Sequence, residues 1–405
     1  IMLHIDRLLF ALKADIESFS MKESKIDEIS LFEGDLHAGN CVSSVLFLNG
    51  TKLYYKPRGA ANEKFIMSII SALDKMGLSI QIGIPAFIDR ENYSWHFQVK
   101  PCDMKNSDSI NEYYYNLGKI QALLYLLGAQ DIIPDNLIVI GNCPYIIDCE
   151  SVVSKKFKHL DSTKISAYLQ SSVLETGILP DWMFNGANDR SQISSVLFEF
   201  DDSNFHLPKK EGKSYPITAE TLQDLEKGFT DACNFMRAHK LDLLSYIYSY
   251  DFNFMRSRVL LHPTVIYSYI LTEMVTPPYL HGSKNIEELI EPIIRKESYG
   301  LLSIPLIHSV ASQIEKGDIP YYFMYLNKNS LYTLPNDIVV DDWIPVESKG
   351  ATIIAEKLSA LSSKVQEEQL CMIDESVNFF LDVIGVSDTN KKRILPVGKD
   401  SIDRN

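Results

Sequence analysis

One short stretch, GAQDIIPDNLIVIGNCPYIIDCES at residues 128–151, constrains the fold more than any other. Its two apolar runs, residues 137–140 and 145–147, flank Gly141-Asn142 and predict a buried β-hairpin. Polar side chains frame this hairpin at both ends: Asp131, Asp135, Asn136, Asp148 and Glu150. Carboxylate and amide oxygens are the ligands that Mg²⁺ prefers, so their position at strand ends predicts a cation site.

The residues before this hairpin predict an α+β arrangement, because paired strands alternate with single helices rather than with repeating βαβ units. Asn49-Gly50 lies between two strand-like runs, residues 42–48 and 52–56, and is a strong hairpin signal. A second hairpin is predicted to turn near Glu91-Asn92. Helices are predicted over residues 61–76 and from a cap at Ser107 or Asp108 to Gly128.

The second half of the chain is predicted to be largely helical. Apolar periodicity predicts a long helix after a cap at Thr218 and a helical region over residues 251–275 that Pro263 breaks. Further helices are predicted near residues 284–298 and 351–384. We therefore expect an N-terminal helical segment, a unit that carries the acid-framed hairpin, a helical C-terminal part and a tail, at residues 1–30, 31–155, 156–390 and 391–405.

Charge and cysteine usage exclude several classes of function. The formal net charge is −14, which argues against a nucleic-acid partner. The six cysteines are scattered without the spacing of a zinc site or a disulfide framework, as expected of thiols in a reducing cytoplasm. Charges interrupt the apolar N-terminal residues, so we expect no signal peptide and no membrane span there. We expect a cytoplasmic protein.

The order of polar residues matches the needs of phosphoryl transfer from ATP. Lys56 ends a predicted strand, Asp131 and Asn136 are five residues apart, and Asp148 follows the hairpin. A kinase uses such residues to hold phosphates, to orient the substrate hydroxyl and to bind Mg²⁺. Each residue alone also fits a plain structural role, since Asp and Asn commonly form turns and a strand lysine is commonly solvated.

The chain also resembles a known family. The runs GDLHAGN, YYKPR, ALLYLLGAQDIIPDNLIVIGNCPYIIDCESV, SRVLLHPTVIY and KGDIPYYF are similar, in this order, to the dehydratase domain of LanM-type class II lanthipeptide synthetases. The resemblance covers residues 30–385. It implies a kinase-like bilobal core related to lipid kinases, with ATP and Mg²⁺ as cofactors. The implied reaction phosphorylates Ser and Thr of a precursor peptide, which has a leader and a core, and then eliminates phosphate to leave dehydroamino acids.

The resemblance implies nucleotide and metal roles for residues around the hairpin. Lys56 matches the lysine that holds the nucleotide phosphates, and Asp131 matches the residue that orients or deprotonates the substrate hydroxyl. Asn136 and Asp148 match the Mg²⁺ ligands, and Glu150 matches the neighbouring acid of the nucleotide site.

Four further residues match the parts of the family that serve the active site and elimination. Asp35 and His37 match the acid and histidine of a GDxH motif, and Arg258 and Thr264 keep the spacing of the pair that assists phosphate departure. Read without the family, Arg258 is an ion-pair partner on a helix surface, Thr264 a helix cap and His37 a turn histidine.

The chain departs from the family in ways that leave alternatives open. Ile133 stands where the family usually has a histidine that assists the reaction, and it cannot transfer a proton. The alternatives are therefore a kinase that stops at the phosphorylated peptide, lipid or small molecule, and a degenerate kinase fold that only binds a partner. No Cys/His cluster suits the zinc of the family's cyclase. We expect no cyclase activity in this chain, and a separate cyclase as a partner.

Overall fold

The computed structural model describes residues 2–19, 25–105, 108–155, 172–180, 195–199, 203–259, 261, 264–281, 288–290, 292–293, 303–334, 336–343 and 349–389. The helices are α1 Met2–Asp15, α2 Ala61–Met76, α3 Ile110–Leu127, α4 Ala219–Ala238, α5 Lys240–Ser249, α6 Thr264–Met274, α7 Pro277–Leu280, α8 Ile304–Glu315, α9 Ala351–Ala360 and α10 Ser363–Thr389. The strands are β1 Ile26–Ser30, β2 Ser43–Phe47, β3 Lys52–Lys56, β4 Phe87–Arg90, β5 Tyr93–Phe97, β6 Leu137–Ile140, β7 Cys143–Ile146, β8 Lys209–Lys210, β9 Lys213–Ser214, β10 Arg256–Val259, β11 Tyr322–Tyr325, β12 Leu331–Thr333 and β13 Asp337–Val340.

The N-terminal sheet has five antiparallel strands in the order β1-β2-β3-β5-β4. The two predicted hairpins, which turn at Asn49-Gly50 and Glu91-Asn92, are confirmed. Apolar side chains alternate along these strands, and one face buries them with Leu8 and Leu12 of α1 around Trp95. Strand β3 lies between β2 and β5, which fixes the position of Lys56 at its end.

Helices α3 and α4 form the centre of the largest core. Gly118 of α3 lies against the backbone at Leu225, and Gly228 of α4 lies against the backbone at Tyr115, so the two helices approach closely at both points. Ser109 caps α3 by accepting from Glu112 N. The predicted cap at Asp108 is therefore wrong by one residue, and Ser107 lies outside the described residues.

The acid-framed hairpin is present as β6 and β7, with Leu137 paired to Ile146. Two parallel bridges, Gly83 to Tyr145 and Cys102 to Ile140, hold it to the segments on either side of β4 and β5. The hairpin therefore has a defined position relative to the N-terminal sheet and Lys56.

The second half differs from the sequence prediction in one important respect. Residues 256–259, expected to be helical, form strand β10, which pairs with β11 in a four-stranded antiparallel sheet of order β10-β11-β12-β13. Thr218 caps α4 as predicted. The helix predicted over residues 351–384 is instead two helices, α9 and α10. Most of the helix predicted near residues 284–298, and the predicted tail, lie outside the described residues.

The main hydrophobic core crosses the expected boundary at residue 155. It includes Phe65 of α2, Leu124 of α3, Phe229 of α4 and Phe380 of α10. A smaller cluster packs α6 and α8 against the four-stranded sheet. The proposed unit boundaries remain a prediction. Among the described residues, no helix is both long and apolar enough to cross a membrane.

Candidate functional site

Lys56 and Asp148 meet where strand β3 ends beside the acid-framed hairpin. Lys56 is buried, and its Nζ donates to the Ile147 carbonyl oxygen at 2.7 Å and lies 3.7 Å from Asp148 Oδ1. Burial disfavours the ionised carboxyl, but Lys56, Arg58 and Arg258 outweigh it and hold the pKa of Asp148 below its usual range. Asp148 is therefore a carboxylate at neutral pH.

Asp131 and Asn136 lie in the loop that joins α3 to the hairpin. Asp131 has a φ of 63°, which is unusual for a residue other than glycine. The Asn136 amide donates to the Asp131 carbonyl oxygen at 2.8 Å and lies 3.5 Å from Asp131 Oδ2. The Asn136 carbonyl oxygen accepts from Ile147 N at 3.0 Å. These contacts join Asn136 to Asp131 and to Ile147, the residue before Asp148.

The pKa of Asp131 is raised to about 6. Burial is the main cause, and the negative charges of Asp148 and Glu150 add to it, while Arg258 acts in the opposite direction. A carboxyl with this pKa is a stronger base than an exposed one and is still ionised at neutral pH.

Arg58 is the organising cation of the site, and the sequence reasoning missed it. Its buried guanidinium donates to Glu63 Oε1 at 2.9 Å, to Asp148 Oδ1 at 2.8 Å and to Glu150 Oε1 at 3.1 Å. Burial opposes the charge, but the three carboxylates raise the pKa of Arg58 above its usual value. Its position two residues after Lys56, in YYKPRG, is the signal that was available.

Glu150 joins the hairpin to the C-terminal sheet. Its Oε2 lies 3.6 Å from Arg258 Nη1 and accepts from the Tyr321 hydroxyl at 3.2 Å. The Arg258 guanidinium lies 5.4 Å from the centre of the Tyr321 ring. Arg258 is therefore an ion-pair partner, but it lies on strand β10 rather than on the helix surface that its plain interpretation predicted, and its partner is a residue of the candidate site.

The loop that carries Asp35 and His37 is attached to the segment before β11. His37 Nδ1 lies 2.7 Å from the Ile319 carbonyl oxygen, and Gly39 N donates to Asp318 Oδ1 at 3.1 Å. A carbonyl only accepts, so Nδ1 carries the proton and Nε2 is the ring's acceptor, to which no described residue donates. Burial lowers the pKa of His37 and outweighs the hydrogen bond to Ile319, which leaves the ring neutral at pH 7.

For Asp35 and Thr264, the structure shows no side-chain contact with another described residue of the candidate site. Asp35 is exposed, although its charge acts on His37. Helix α6 begins at Thr264, so this residue is the first of the helix rather than the cap that its plain interpretation predicted, and its side chain lies outside the described residues. The missed residue Tyr321 belongs to KGDIPYYF, so that run contained a signal for it.

Asn136 and Asp148 supply oxygen atoms of the kind that Mg²⁺ prefers, and water and phosphate could supply the rest of its coordination shell. Asn136 Oδ1 and Asp148 Oδ2 receive no hydrogen bond from any described residue. The donors around Asp148, which are Arg58, Lys56 and the Glu150 N–H, contact its other oxygen, Oδ1. Mg²⁺ commonly takes only one or two protein ligands when phosphates supply others. Within the described ranges no group of three or more His, Cys, Asp or Glu residues is arranged to hold a metal alone.

Comparison with known proteins places the chain in a family. The family model described as "Domain of unknown function (DUF4135)" matches residues 2–211 and 203–325. The chain belongs to the DUF4135 family. The match covers the loop with His37, strand β3, the hairpin, and β10 and β11, so every residue of the candidate site lies within this DUF4135 region.

The DUF4135 chain is also similar to the lacticin 481/lactococcin biosynthesis protein LcnDR2 of Lactococcus lactis subsp. lactis. The two are 25% identical over 350 residues, which cover 76% of this chain. The chain spans 37% of the length of that relative.

Proposed function

We propose that this DUF4135 protein phosphorylates Ser and Thr side chains of a precursor peptide with ATP and then eliminates the phosphate. The relative takes part in lacticin 481/lactococcin biosynthesis, which supports a peptide-modifying role. The observation that carries the proposal is the convergence of Lys56, Asp131, Asn136 and Asp148 beside the Arg258–Glu150 pair. The proposal includes a kinase-like bilobal core.

In the phosphorylation step, Asp131 orients the substrate hydroxyl and takes its proton. The hydroxyl oxygen forms a bond to the γ-phosphorus, the bond to the bridging oxygen breaks, and ADP leaves with that electron pair. Lys56 holds the departing phosphates. Bound Mg²⁺ supplies charge neutralisation, and Asn136 and Asp148 would hold it.

In the elimination step, the Cα proton passes to a base and the C–H electron pair becomes the Cα=Cβ double bond. The Cβ–O bond breaks, and phosphate leaves with its electron pair. We assign the base to His37, whose neutral ring offers a free Nε2 near Glu150 and Arg258. This assignment supplies the proton acceptor that Ile133 cannot provide. Arg258 stabilises the departing dianion through its forked donors.

Mass spectrometry of a Ser/Thr-containing precursor peptide, incubated with the protein and Mg²⁺-ATP, tests the proposal. We expect each modified residue to lose the mass of one water. Asp131→Asn is expected to abolish all modification, and His37→Ala to leave the phosphorylated peptide. Retained phosphate with the unaltered chain would instead support a kinase without elimination, as Ile133 suggests. No ATP-dependent change in mass, and no Mg²⁺-ATP shift in melting temperature, would contradict both.

A further inference from the structure

A cavity of about 630 Å³ is lined in part by the Arg58 network. It is bounded by the start of α2, the β4–β5 turn, the loop after α5 and strands β10 and β11. Arg58, Glu150 and Arg258 belong to its wall as well as to the candidate site. A group bound at Arg258 therefore has direct access to this cavity.

Arg256 presents an uncompensated positive charge to the cavity. It precedes Arg258 by two positions on β10, so both side chains lie on the same face of the sheet. Its guanidinium carbon lies 4.4 Å from the Phe323 ring centre, and Nη2 donates to the Tyr325 hydroxyl at 3.3 Å. Among the described residues no carboxylate forms an ion pair with it.

The backbone of Arg256 is also held in place. Asn62 is buried, and its side chain accepts from Arg256 N at 3.2 Å and donates to the Arg256 carbonyl oxygen at 2.8 Å. The same amide group donates to the Cys149 carbonyl oxygen at 2.9 Å. Arg256 is therefore held by aromatic rings at its side chain and by two hydrogen bonds with Asn62 at its backbone. This support lowers the entropy lost when Arg256 binds a ligand.

The remaining charges of the cavity are distributed unevenly. Lys328 lies on the same wall, 4.7 Å from the Tyr325 ring centre. Among the other lining cations, Lys64 is paired with Asp89, and Arg58 is neutralised by three carboxylates. Glu91 and Asp251 also line the cavity. Arg256 and Lys328 are therefore the lining cations that form no ion pair with a described carboxylate, and Arg256 is next to Arg258 on β10.

We propose that this cavity binds a phosphate monoester, with Arg256 as a ligand beside Arg258. Resting on the proposed function, the ligand is the phosphorylated side chain of the peptide, which moves there from the site of transfer before elimination. A guanidinium supplies paired N–H donors that match phosphate oxygens, and an aromatic face holds it in one orientation.

Binding of O-phosphoserine, measured by isothermal titration, tests the cavity without relying on catalysis. Arg256→Gln is expected to weaken binding by about tenfold to a hundredfold, the loss expected for a charge-assisted hydrogen bond. Arg256→Lys should weaken it less, because it keeps the charge. Arg237→Gln, on α4 and bonded to Gln366 and Asn234, is the matched control and should bind as the unaltered chain does.

Two further measurements keep this result interpretable. Melting temperatures of the Arg256 variants must match that of the control, which separates lost binding from lost folding. With a synthetic phosphoserine peptide as substrate, Arg256→Gln should leave a larger fraction of the peptide phosphorylated and a smaller fraction dehydrated. Unchanged phosphoserine affinity in Arg256→Gln overturns the proposal. Failure of the unaltered chain to dehydrate any peptide, with Arg256-dependent phosphoserine binding intact, would contradict the proposed function and leave the anion site standing.

Discussion

The guanidinium of Arg58 lies 2.8 Å from the carboxylate of Asp148, although 90 residues separate them in the chain. Asp148 thereby contacts two cations, Arg58 and Lys56, from the end of the N-terminal sheet. A second contact of Arg58, with Glu63 at the start of α2, joins that helix to the same point. The candidate site is therefore built around a buried charge cluster that connects sheet, helix and hairpin.

Replacing Arg58 should be costly for stability. Arg58→Met leaves three carboxylates of a buried cluster without their shared cation, so we expect the free energy of unfolding to fall by about 3–5 kcal/mol. Urea denaturation monitored by circular dichroism measures this loss. Arg237→Met, which removes only hydrogen bonds to Gln366 and Asn234, should cost less than about 1 kcal/mol. Equal losses in the two variants would mean that Arg58 does not organise the cluster.

Lys56 and Lys52 provide a matched pair on strand β3. Lys56 contacts Ile147 and Asp148. Lys52 instead pairs with Glu33, and its Nζ lies 3.1 Å from Glu33 Oε1. Under the proposed function, Lys56→Met should slow ADP formation by about two orders of magnitude or more, because a positioned charge at the phosphates is lost. Lys52→Met should retain the rate. A coupled ADP assay at saturating peptide distinguishes them, and equal rates would remove Lys56 from the nucleotide site.

Asn62 should act as a positioning residue for elimination. Its amide joins Cys149 of the hairpin to Arg256 of β10, and Arg258 lies two residues further along that strand. Asn62→Ala should loosen Arg258 relative to Glu150, so phosphorylated peptide should accumulate relative to dehydrated peptide. Quantitative mass spectrometry of the product ratio measures this effect.

The control for this variant is another buried asparagine whose side chain both accepts a hydrogen bond from a backbone group and donates one to a backbone group. Asn116 accepts from Gln81 N at 2.9 Å and donates to the Gln81 carbonyl oxygen at 2.6 Å. Asn116→Ala should lose a similar stability, about 1–3 kcal/mol, without altering the product ratio. A change in the product ratio in both variants would show that general destabilisation, rather than loss of the hydrogen bonds from Asn62 to Cys149 and Arg256, is responsible.

Asp131 should make stability depend on pH. Its folded pKa of about 6 exceeds the ordinary value of 3.8, so the carboxyl contributes stability fully below about pH 3.8 and loses it as the pH rises through about 6. Asp131→Asn should therefore be more stable than the unaltered chain above pH 6, by about 3 kcal/mol. The difference should shrink towards pH 4. Denaturation at pH 4, 6 and 8 measures the difference, and Asp27→Asn, at an exposed position of β1, is the control substitution.

Gly118 should be intolerant of any side chain. A Cβ atom there would overlap the Leu225 carbonyl oxygen of α4, which is backbone and cannot rotate away. Gly118→Ala is expected to destabilise the chain by about 3 kcal/mol or more, the upper range for overpacking. Gly34→Ala, where no atom lies within 4 Å of the added Cβ, should change stability by less than about 0.5 kcal/mol. Comparable melting temperatures for the two variants would contradict the close approach of the helices.

Much of the local structure could be predicted from the sequence because its causes are local. Asn49-Gly50 specifies a tight turn whatever surrounds it, and the spacing of Phe65, Ile69 and Leu73 produces a helix with one apolar face. The order of Lys56, Asp131, Asn136 and Asp148 likewise indicated two contacts that the structure contains, Lys56 with Asp148 and Asn136 with Asp131. Their catalytic roles remain part of the proposal.

Other features depended on partners far along the chain. Residues 256–259 were expected to be helical, yet Arg256 pairs with Tyr325 and Arg258 with Phe323, so a strand 63 or more residues later decides their conformation. A four-residue segment has too little intrinsic preference to oppose a paired neighbour. The same limit applies to Arg58, whose three carboxylates come from α2 and from the end of the hairpin.

The sequence by itself determined the turns, the helices with one apolar face and the set of polar residues available for chemistry, because each depends on neighbours within a few positions. Tertiary structure alone decided that Arg58 neutralises Asp148 and Glu150, that His37 Nδ1 contacts the Ile319 carbonyl oxygen, and that Arg256 lines a cavity without forming an ion pair to any described carboxylate. The physical reason is that charge, burial and hydrogen-bond partners are properties of positions in space. They are set only when segments distant in sequence pack together.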